Sequence, residues 1–180
     1  MILLIGGHAE SGKDTFAKIL KNKLEQKNKK CLIVHFADYL KLVCKLYFGW
    51  DGNKDEVGRE ILQRVGTDLI RARDENFWVK VVADLISVLK NDYDYFLIPD
   101  WRFKSEAEYF YNTYLEDFDC NFFTVRINRT DYQNTLTPEQ RLHRSETDLD
   151  DYVFNFIIDC ESGIDKLEEK VNKFITYLDL

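Results

Sequence analysis

The chain has 180 residues, of which 45% are hydrophobic and 14% aromatic, which is enough for a packed core and excludes wholesale disorder. The 32 acidic side chains outnumber the 25 Lys and Arg, and the formal net charge of −7 excludes a general nucleic-acid coat, which needs a cationic face. The length favours one domain over residues 1–180.

Apolar runs and helical periodicities alternate along the chain. The predicted strands are residues 1–6, 31–36, 95–99, 121–127 and 153–158. The predicted helices are residues 13–27, 38–48, 54–71, 76–90 and 104–116, followed by a last helix whose apolar stripe runs from Ile164 to Leu178. Apolar strands separated by helices indicate a three-layer α/β domain, in which a five-stranded parallel sheet is doubly wound.

The cysteines and the lengths of the apolar runs indicate a cytoplasmic protein. Cys31, Cys44, Cys120 and Cys160 show no C-x-x-C spacing, so we expect buried, reduced thiols and neither a zinc clip nor a redox dithiol. The apolar start of the chain is too short for a signal peptide. No later run approaches the roughly 18 apolar residues of a membrane span, so we expect no membrane partner.

The most specific motif lies between the first predicted strand and the first predicted helix. Residues 7–13 read GHAESGK and match the phosphate-loop (Walker A) pattern G-x-x-x-x-G-K. Glycines permit a turn that points backbone N–H groups at phosphate oxygens, and the helix N-terminus adds its positive dipole end. Lys13 is expected to reach the β- and γ-phosphates. The motif assigns nucleotide binding to Gly7, Ala9, Ser11, Gly12, Lys13, Asp14 and Thr15.

Two carboxylates are candidate Mg²⁺ ligands. Asp14 stands where the motif normally has a Ser or Thr, and a carboxylate suits this hard cation directly or through water. The alternative is that Asp14 only stabilises the start of the helix. Asp100 ends the third predicted strand, at the sheet edge where open α/β folds bind ligands. That position fits a Walker B carboxylate, with a plain strand-ending Asp as the alternative.

Five blocks together resemble the phage-type deoxynucleoside monophosphate kinases, within the adenylate-kinase-like P-loop kinases. They are the phosphate loop with its GKDT, FADYLK at 36–41, GREILQRVGT at 58–67 followed by Arg71 and Trp78, DWRF at 100–103, and HRSE at 143–146. The blocks occur in matching order and spacing, and the resemblance covers nearly the whole chain. It implies transfer of the γ-phosphoryl group of ATP to the 5′-phosphate of a nucleoside monophosphate, with ATP and Mg²⁺ as cofactors.

The resemblance places the acceptor nucleotide on the helices at about 38–90. Arg59, Gln63, Thr67 and Arg71 recur every four residues and share one face of a predicted helix. Trp78 could stack on a nucleobase, with burial in the core as the alternative. Asp38 and Lys41 follow the second predicted strand, where Asp38 could instead cap a helix. Arg102 resembles a clamp on the acceptor phosphate and is also assigned to catalysis.

The polar segment at about 128–150 is predicted to be a lid that closes over the nucleotides and excludes water. The resemblance assigns Arg129 to catalysis and Arg126 and Arg144 to ATP binding, while His143 receives no catalytic role. Asp159 follows the last predicted strand. In the family that the chain resembles, the loop at this position usually carries an Asn and lies near the ATP base.

Two other functions remain open on sequence grounds. One is a P-loop kinase for a small phosphate acceptor that is not a nucleotide, such as phosphomevalonate. The other is a nucleotide-binding regulatory switch, although the N/T-K-x-D motif usual for guanine recognition does not occur. The expected partners are small-molecule nucleotides and a second copy of the chain, with which it would form a homodimer. Nucleic acid is not expected as a partner.

Overall fold

The computed structural model describes residues 1–114, 121–132 and 134–180. Five strands form one parallel sheet in the order β2-β3-β1-β4-β5. Their bounds are β1 Ile2–Gly6, β2 Cys31–Ile33, β3 Tyr95–Ile98, β4 Phe122–Arg129 and β5 Phe156–Cys160. The predicted parallel, doubly wound sheet is confirmed.

Helices connect the strands. They are α1 Lys13–Gln26, α2 Ala37–Tyr47, α3 Glu56–Gln63, α4 Phe77–Leu89, α5 Lys104–Tyr114, α6 Pro138–Leu142, α7 Arg144–Thr147 and α8 Ile164–Leu178. The predicted helix at 54–71 consists of two parts with different hydrogen bonding, since the α-helix α3 passes directly into a π-helical segment, Arg64–Arg71. Segments of this kind occur frequently at functional sites. Among the described residues, no helix is both long and apolar enough to cross a membrane.

The strand β1 lies at the centre of the sheet and supplies both halves of the core. Its side chains alternate, so that Ile2 and Leu4 pack with α4 and α5 while Leu3 and Ile5 pack with α1 and α8. Helices therefore cover both faces of the sheet. All five residues of β1 are buried, which explains why its sequence is apolar throughout.

The strands predicted at 31–36 and 153–158 differ most from the structure in their bounds. The strand predicted at 31–36 ends at Ile33, because the backbone N–H groups of Phe36 and Ala37 donate to the carboxylate of Asp100 instead of to a strand. The strand predicted at 153–158 begins at Phe156, because Val153 is 89% exposed and Asn155 pairs with Thr124 ahead of the first ladder position.

The polar segment predicted as a lid is partly ordered into secondary structure. The strand β4 extends into it to Arg129, and α6 and α7 follow. Thr137 and Gln140 form a reciprocal capping box at the start of α6, which the sequence TPEQ encodes. The last two residues of the predicted helix 104–116 lie outside the described residues, as does Cys120. Cys31, Cys44 and Cys160 are buried free thiols, as predicted.

Candidate functional site

The phosphate-loop motif folds into a tight turn between β1 and α1. Gly7 has φ 134° and Gly12 has φ 98°, and residues with a Cβ rarely adopt these backbone conformations. A Cβ at Gly7 would also collide with the carbonyl oxygen of Ile127 in the neighbouring strand. The glycines of the motif are therefore required by the backbone, and the loop ends at the N-terminus of α1.

Lys13 turns back over this loop. Its Nζ donates to the carbonyl oxygens of Gly7 at 2.8 Å and His8 at 2.6 Å, and lies 3.4 Å from Ser11 Oγ. Burial, reinforced by the positive charge of Arg102, lowers the pKa of Lys13 to about 7. A phosphate group placed in the loop would favour the charged form of this amine.

Asp14 begins a chain of polar contacts along the exposed rim of the loop. His35 Nε2 lies 3.0 Å from Asp14 Oδ1, and His35 Nδ1 lies 3.2 Å from Asp38 Oδ2. Lys41 Nζ donates to Asp38 Oδ1 at 2.7 Å. The hydrogen bond between the first pair raises the pKa of His35 and lowers that of Asp14. Asp38 and Lys41 are thus paired at the rim, and Thr15 is exposed beside Asp14.

Asp100 lies at the carboxyl end of β3, as expected, and organises the backbone there. Its two oxygens accept from Phe36 N at 3.0 Å and Ala37 N at 2.9 Å. Burial raises the pKa of Asp100, while the neighbouring His35 and the two N–H donors lower it. The carboxylate therefore fixes the start of α2, and it has acceptor positions beyond these two bonds.

The two candidate metal ligands fit Mg²⁺ bound with a nucleotide better than a cage made of protein. Asp14 Oδ1 lies 3.0 Å from His35 Nε2, and Asp100 accepts from the N–H of the next residue, Phe36, so both carboxylates contact the same turn. Mg²⁺ commonly uses one or two carboxylates together with substrate phosphates and waters. Within the described residues, no group of three or more His, Cys, Asp or Glu side chains could hold a metal by itself.

Two cavities near the loop share one lining residue, Glu146. The larger, of about 670 Å³, is called the donor cavity here and lies between the loop, the end of β4 and the lid. The smaller, of about 180 Å³, is called the acceptor cavity and lies between α2, the π-helical segment and the end of β3.

Arg102 lies where the two cavities approach each other. Its Nη1 donates to Glu146 Oε1 at 2.7 Å and lies 3.4 Å from the carbonyl oxygen of Gly7 in the phosphate loop. The side chain lines the acceptor cavity. The predicted phosphate clamp therefore lies between the phosphate loop and the acceptor cavity.

The polar helix face is brought to the acceptor cavity only in part. Gln63, Thr67 and Arg71 line that cavity, whereas Arg59 does not and donates from Nε to the carbonyl oxygen of Lys54 at 3.1 Å. Trp78 is 2% exposed and belongs to the core, and its indole N–H donates to Gly66 O at 3.1 Å. Because Trp78 also lines the cavity wall, its contact with a base stays a prediction.

Sequence reasoning missed Glu106, the carboxylate that holds this wall together. Glu106 is 1% exposed, forms an ion pair with Arg71, and accepts from the backbone N–H groups of Arg102 at 3.0 Å and Phe103 at 3.1 Å. Burial raises the pKa of Glu106, and the charge of Arg71 opposes this shift. In the sequence, Glu106 looks like an ordinary acid in the first turn of a helix.

Of the three arginines assigned to catalysis or ATP binding in and beside the lid, two line the donor cavity, and Arg144 lines neither cavity. Arg126 and Arg129 line the donor cavity, where Arg126 donates to Asp150 Oδ1 at 3.0 Å and the Arg129 guanidinium lies 5.2 Å from the ring centre of Tyr132. Arg144 instead pairs with Glu75 at 2.9 Å and Asp148 at 3.0 Å, close to the ring of Phe103. Phe103 lines the acceptor cavity, so Arg144 lies near that cavity in the structure, and the ATP contact predicted for it stays a prediction.

Asp159 also lines the donor cavity, where its carboxylate accepts from Asn128 Nδ2 at 2.9 Å. It lies within β5 rather than in the loop after that strand.

Residues 50–171 match the model of a family described as deoxynucleotide monophosphate kinase. No curated protein matches the sequence. The fold is similar to that of the Mycobacterium tuberculosis APS kinase solved with AMPPNP and APS, with a TM-score of 0.52 at 11% identity, covering 99% of this chain and 97% of that one. Shikimate kinase from Bacteroides thetaiotaomicron has a TM-score of 0.52 at 12% identity, with 100% of this chain and 99% of that one covered. The family match and the P-loop kinase fold support a phosphotransferase.

Proposed function

Since the chain belongs to the deoxynucleotide monophosphate kinase family, we propose that it transfers the γ-phosphoryl group of ATP to the 5′-phosphate of a nucleoside or deoxynucleoside monophosphate. The observation that carries this proposal is that two cavities share Glu146, the partner of Arg102, one of them beside a phosphate loop and the other lined by Arg71 and Arg102. A kinase with two anionic substrates needs such an arrangement.

ATP is placed in the donor cavity. The loop from Gly7 to Gly12 and the start of α1 supply backbone N–H groups for the phosphates, and Lys13 supplies a positive charge. Arg126 and Arg129 line the same cavity close to the loop, where Arg126 Nη2 lies 3.2 Å from His8 Nε2, and they can neutralise charge on the phosphates. The base then extends toward Asp159. The neighbouring APS kinase was solved with the ATP analogue AMPPNP, which supports ATP as the donor.

The monophosphate is placed in the acceptor cavity. Arg102 holds its phosphate close to the loop, while Gln63, Thr67 and Arg71 face the rest of the molecule. Arg71 is held in position by Glu106, so the fork of its guanidinium is fixed before the acceptor binds. Asp38 and Lys41 at the rim are assigned to the sugar or phosphate on the basis of the family motif.

Catalysis in this arrangement consists of positioning and charge neutralisation. Arg102 orients the attacking oxygen of the acceptor phosphate toward the γ-phosphate, and Lys13 and Arg129 stabilise the charge that spreads over the transferred group. Mg²⁺ supplies further neutralisation of the β- and γ-phosphates when it is bound, with Asp14 and Asp100 holding it directly or through water. The lid excludes water that would otherwise take the phosphoryl group.

The test is ADP formation from ATP and Mg²⁺, with each common ribo- and deoxyribonucleoside monophosphate offered separately. We expect strong stimulation by a subset of these acceptors, which also identifies the base and the sugar. Bound ATP without stimulation by any of them would contradict the proposed acceptor class.

One observation favours a second candidate, a small phosphate acceptor that is not a nucleotide. The acceptor cavity has about 180 Å³, which is less than the roughly 300 Å³ at the low end for ligand pockets. A nucleotide acceptor therefore requires the cavity to widen as it binds. Including phosphomevalonate in the same assay distinguishes the two candidates.

A further inference from the structure

A carboxylate occupies the position where the proposed function requires a phosphate. Glu146 Oε2 accepts from the backbone N–H of Ala9 in the phosphate loop at 2.8 Å, and Oε1 accepts from Arg102 Nη1 at 2.7 Å. The side chain of Glu146 is only 9% exposed. An N–H of a phosphate loop and a guanidinium are both donors suited to phosphate oxygens.

The position of Glu146 in the molecule also resembles that expected of a phosphate. It lines both the donor cavity and the acceptor cavity, at the point where the two substrates would meet. Its two oxygens connect a group from one side, Ala9, with a group from the other, Arg102. A bridging phosphoryl group between the donor and the acceptor would need the same two groups.

The contact is held by the structure around it. The ring of His143 accepts from Ser145 N at 3.2 Å and caps the short helix α7 that carries Glu146. The carboxylate of Asp148, directly after α7, accepts from Lys104 N at 2.8 Å and from Arg144 at 3.0 Å. Glu146 is thus positioned on a fixed element of the lid.

We propose that Glu146 is an internal substitute for a phosphate group, which satisfies Ala9 N–H and Arg102 in the empty enzyme and is displaced when a polyphosphate binds. The inference rests on the proposed function, because it needs a phosphate in the loop. A carboxylate and a phosphate cannot accept from the same donors at once, so binding exchanges one anion for the other. The exchange also releases Arg102 toward the acceptor phosphate only when the donor has arrived.

Binding of inorganic tripolyphosphate to the full chain in the presence of Mg²⁺ tests this inference without any acceptor. Calorimetry is performed on the wild type, on Glu146→Gln and on Glu139→Gln. Glu139 is an exposed lid carboxylate on α6, so its variant makes the same change in net charge away from the loop. We expect Glu146→Gln to bind about 10-fold more tightly than the wild type, since a charge-assisted contact is lost from the empty state, and Glu139→Gln to stay within about 2-fold.

Glu146→Asp separates contact from charge. It keeps the negative charge but is one methylene shorter and cannot reach both donors, so we expect tighter binding here as well. Wild-type affinity in Glu146→Asp, or unchanged or weaker binding in Glu146→Gln, would overturn the inference. A wild-type chain that does not bind tripolyphosphate at all would instead contradict the phosphate-loop assignment and with it the proposed function. Thermal unfolding of each variant identifies any that has lost its fold. If one of the two Glu146 variants is unfolded, the affinity of the other variant for tripolyphosphate tests the inference.

Discussion

The donor and acceptor cavities are built in different ways. The donor cavity depends on backbone geometry, because the loop that lines it has positive φ at Gly7 and Gly12 and leads into the N-terminus of α1. The acceptor cavity depends on side chains that meet across the fold, such as Arg71 with Glu106 and Arg102 with Glu146. The donor side is thus encoded in one short stretch of sequence, whereas the acceptor side exists only after the chain has folded.

The largest expected effect is on the donor side. Lys13→Ala removes the amine that neutralises the transferred phosphate, so we expect acceptor-stimulated turnover to fall by about 10³-fold or more. ADP formation measures this loss, and urea unfolding checks the fold. Lys18→Ala, which removes an exposed lysine from the same helix, is the control. Substantial activity in Lys13→Ala would contradict the phosphate-loop assignment.

The next effect is on the stability of the acceptor side. Glu106→Gln leaves the buried guanidinium of Arg71 without its counter-charge, and we expect the free energy of unfolding to fall by about 3 kcal/mol. Urea denaturation measures it. The matched control is Glu168→Gln, which breaks the surface pair with Lys23 and is expected to cost under about 1 kcal/mol. Equal costs for the two variants would show that the Arg71–Glu106 pair does not hold the cavity wall.

A smaller effect is expected on the donor side, where the binding of ATP changes the number of protons bound by Lys13. The pKa of Lys13 is lowered to about 7, so at pH 8 only about a tenth of this amine is charged in the empty loop. A bound polyphosphate favours the charged amine, and binding at pH 8 should therefore take up close to one proton. Calorimetry of ATP binding in buffers of different ionisation enthalpy measures this uptake, which should be near zero at pH 6. Equal uptake at both pH values would contradict the role given to Lys13.

The smallest expected effect is on stability, at the contact between His35 and Asp14 on the rim of the phosphate loop. The pKa of His35 is raised and that of Asp14 is lowered, so their contact stabilises the fold when the imidazole is protonated and the carboxylate is ionised. The contribution of His35 is fully present below its unfolded pKa of about 6.5 and is lost as pH rises through its higher folded pKa. We expect His35→Asn to cost up to about 1 kcal/mol at pH 5.5 and less at pH 9. Urea unfolding at both values checks this, and a cost that grows with pH would contradict it.

The sequence predicted the parallel sheet and the tight turn of the phosphate loop for a physical reason. Strand β1 is apolar throughout because both of its faces are buried, and the loop motif needs its glycines for backbone conformation, so both features are visible in local residue types. The strand ends were less predictable. The carboxylate of Asp100 takes the N–H groups that would have extended β2, and that contact joins residues 64 positions apart.

The acceptor side could be predicted only in outline. The polar helix face with Gln63, Thr67 and Arg71 was visible as a spacing of four residues. Glu106 was not singled out, and Glu146 stood only at the end of the HRSE block without a role, because their partners Arg71 and Arg102 lie 35 and 44 residues away. Each reads locally as an acid in the first turn of a helix, and only the folded chain gives it a partner.

Arg102 is proposed to serve the transfer of the phosphoryl group to an acceptor and not the splitting of ATP alone. Acceptor-stimulated ADP formation and background ATP hydrolysis are therefore measured side by side for the wild type, for Arg102→Gln and for the exposed-arginine control Arg73→Gln. Loss of one charge-assisted contact predicts an about 10²- to 10³-fold fall in the stimulated rate of Arg102→Gln, with background hydrolysis within about 3-fold and Arg73→Gln like the wild type. An equal fall in both rates of Arg102→Gln would contradict the role proposed for Arg102.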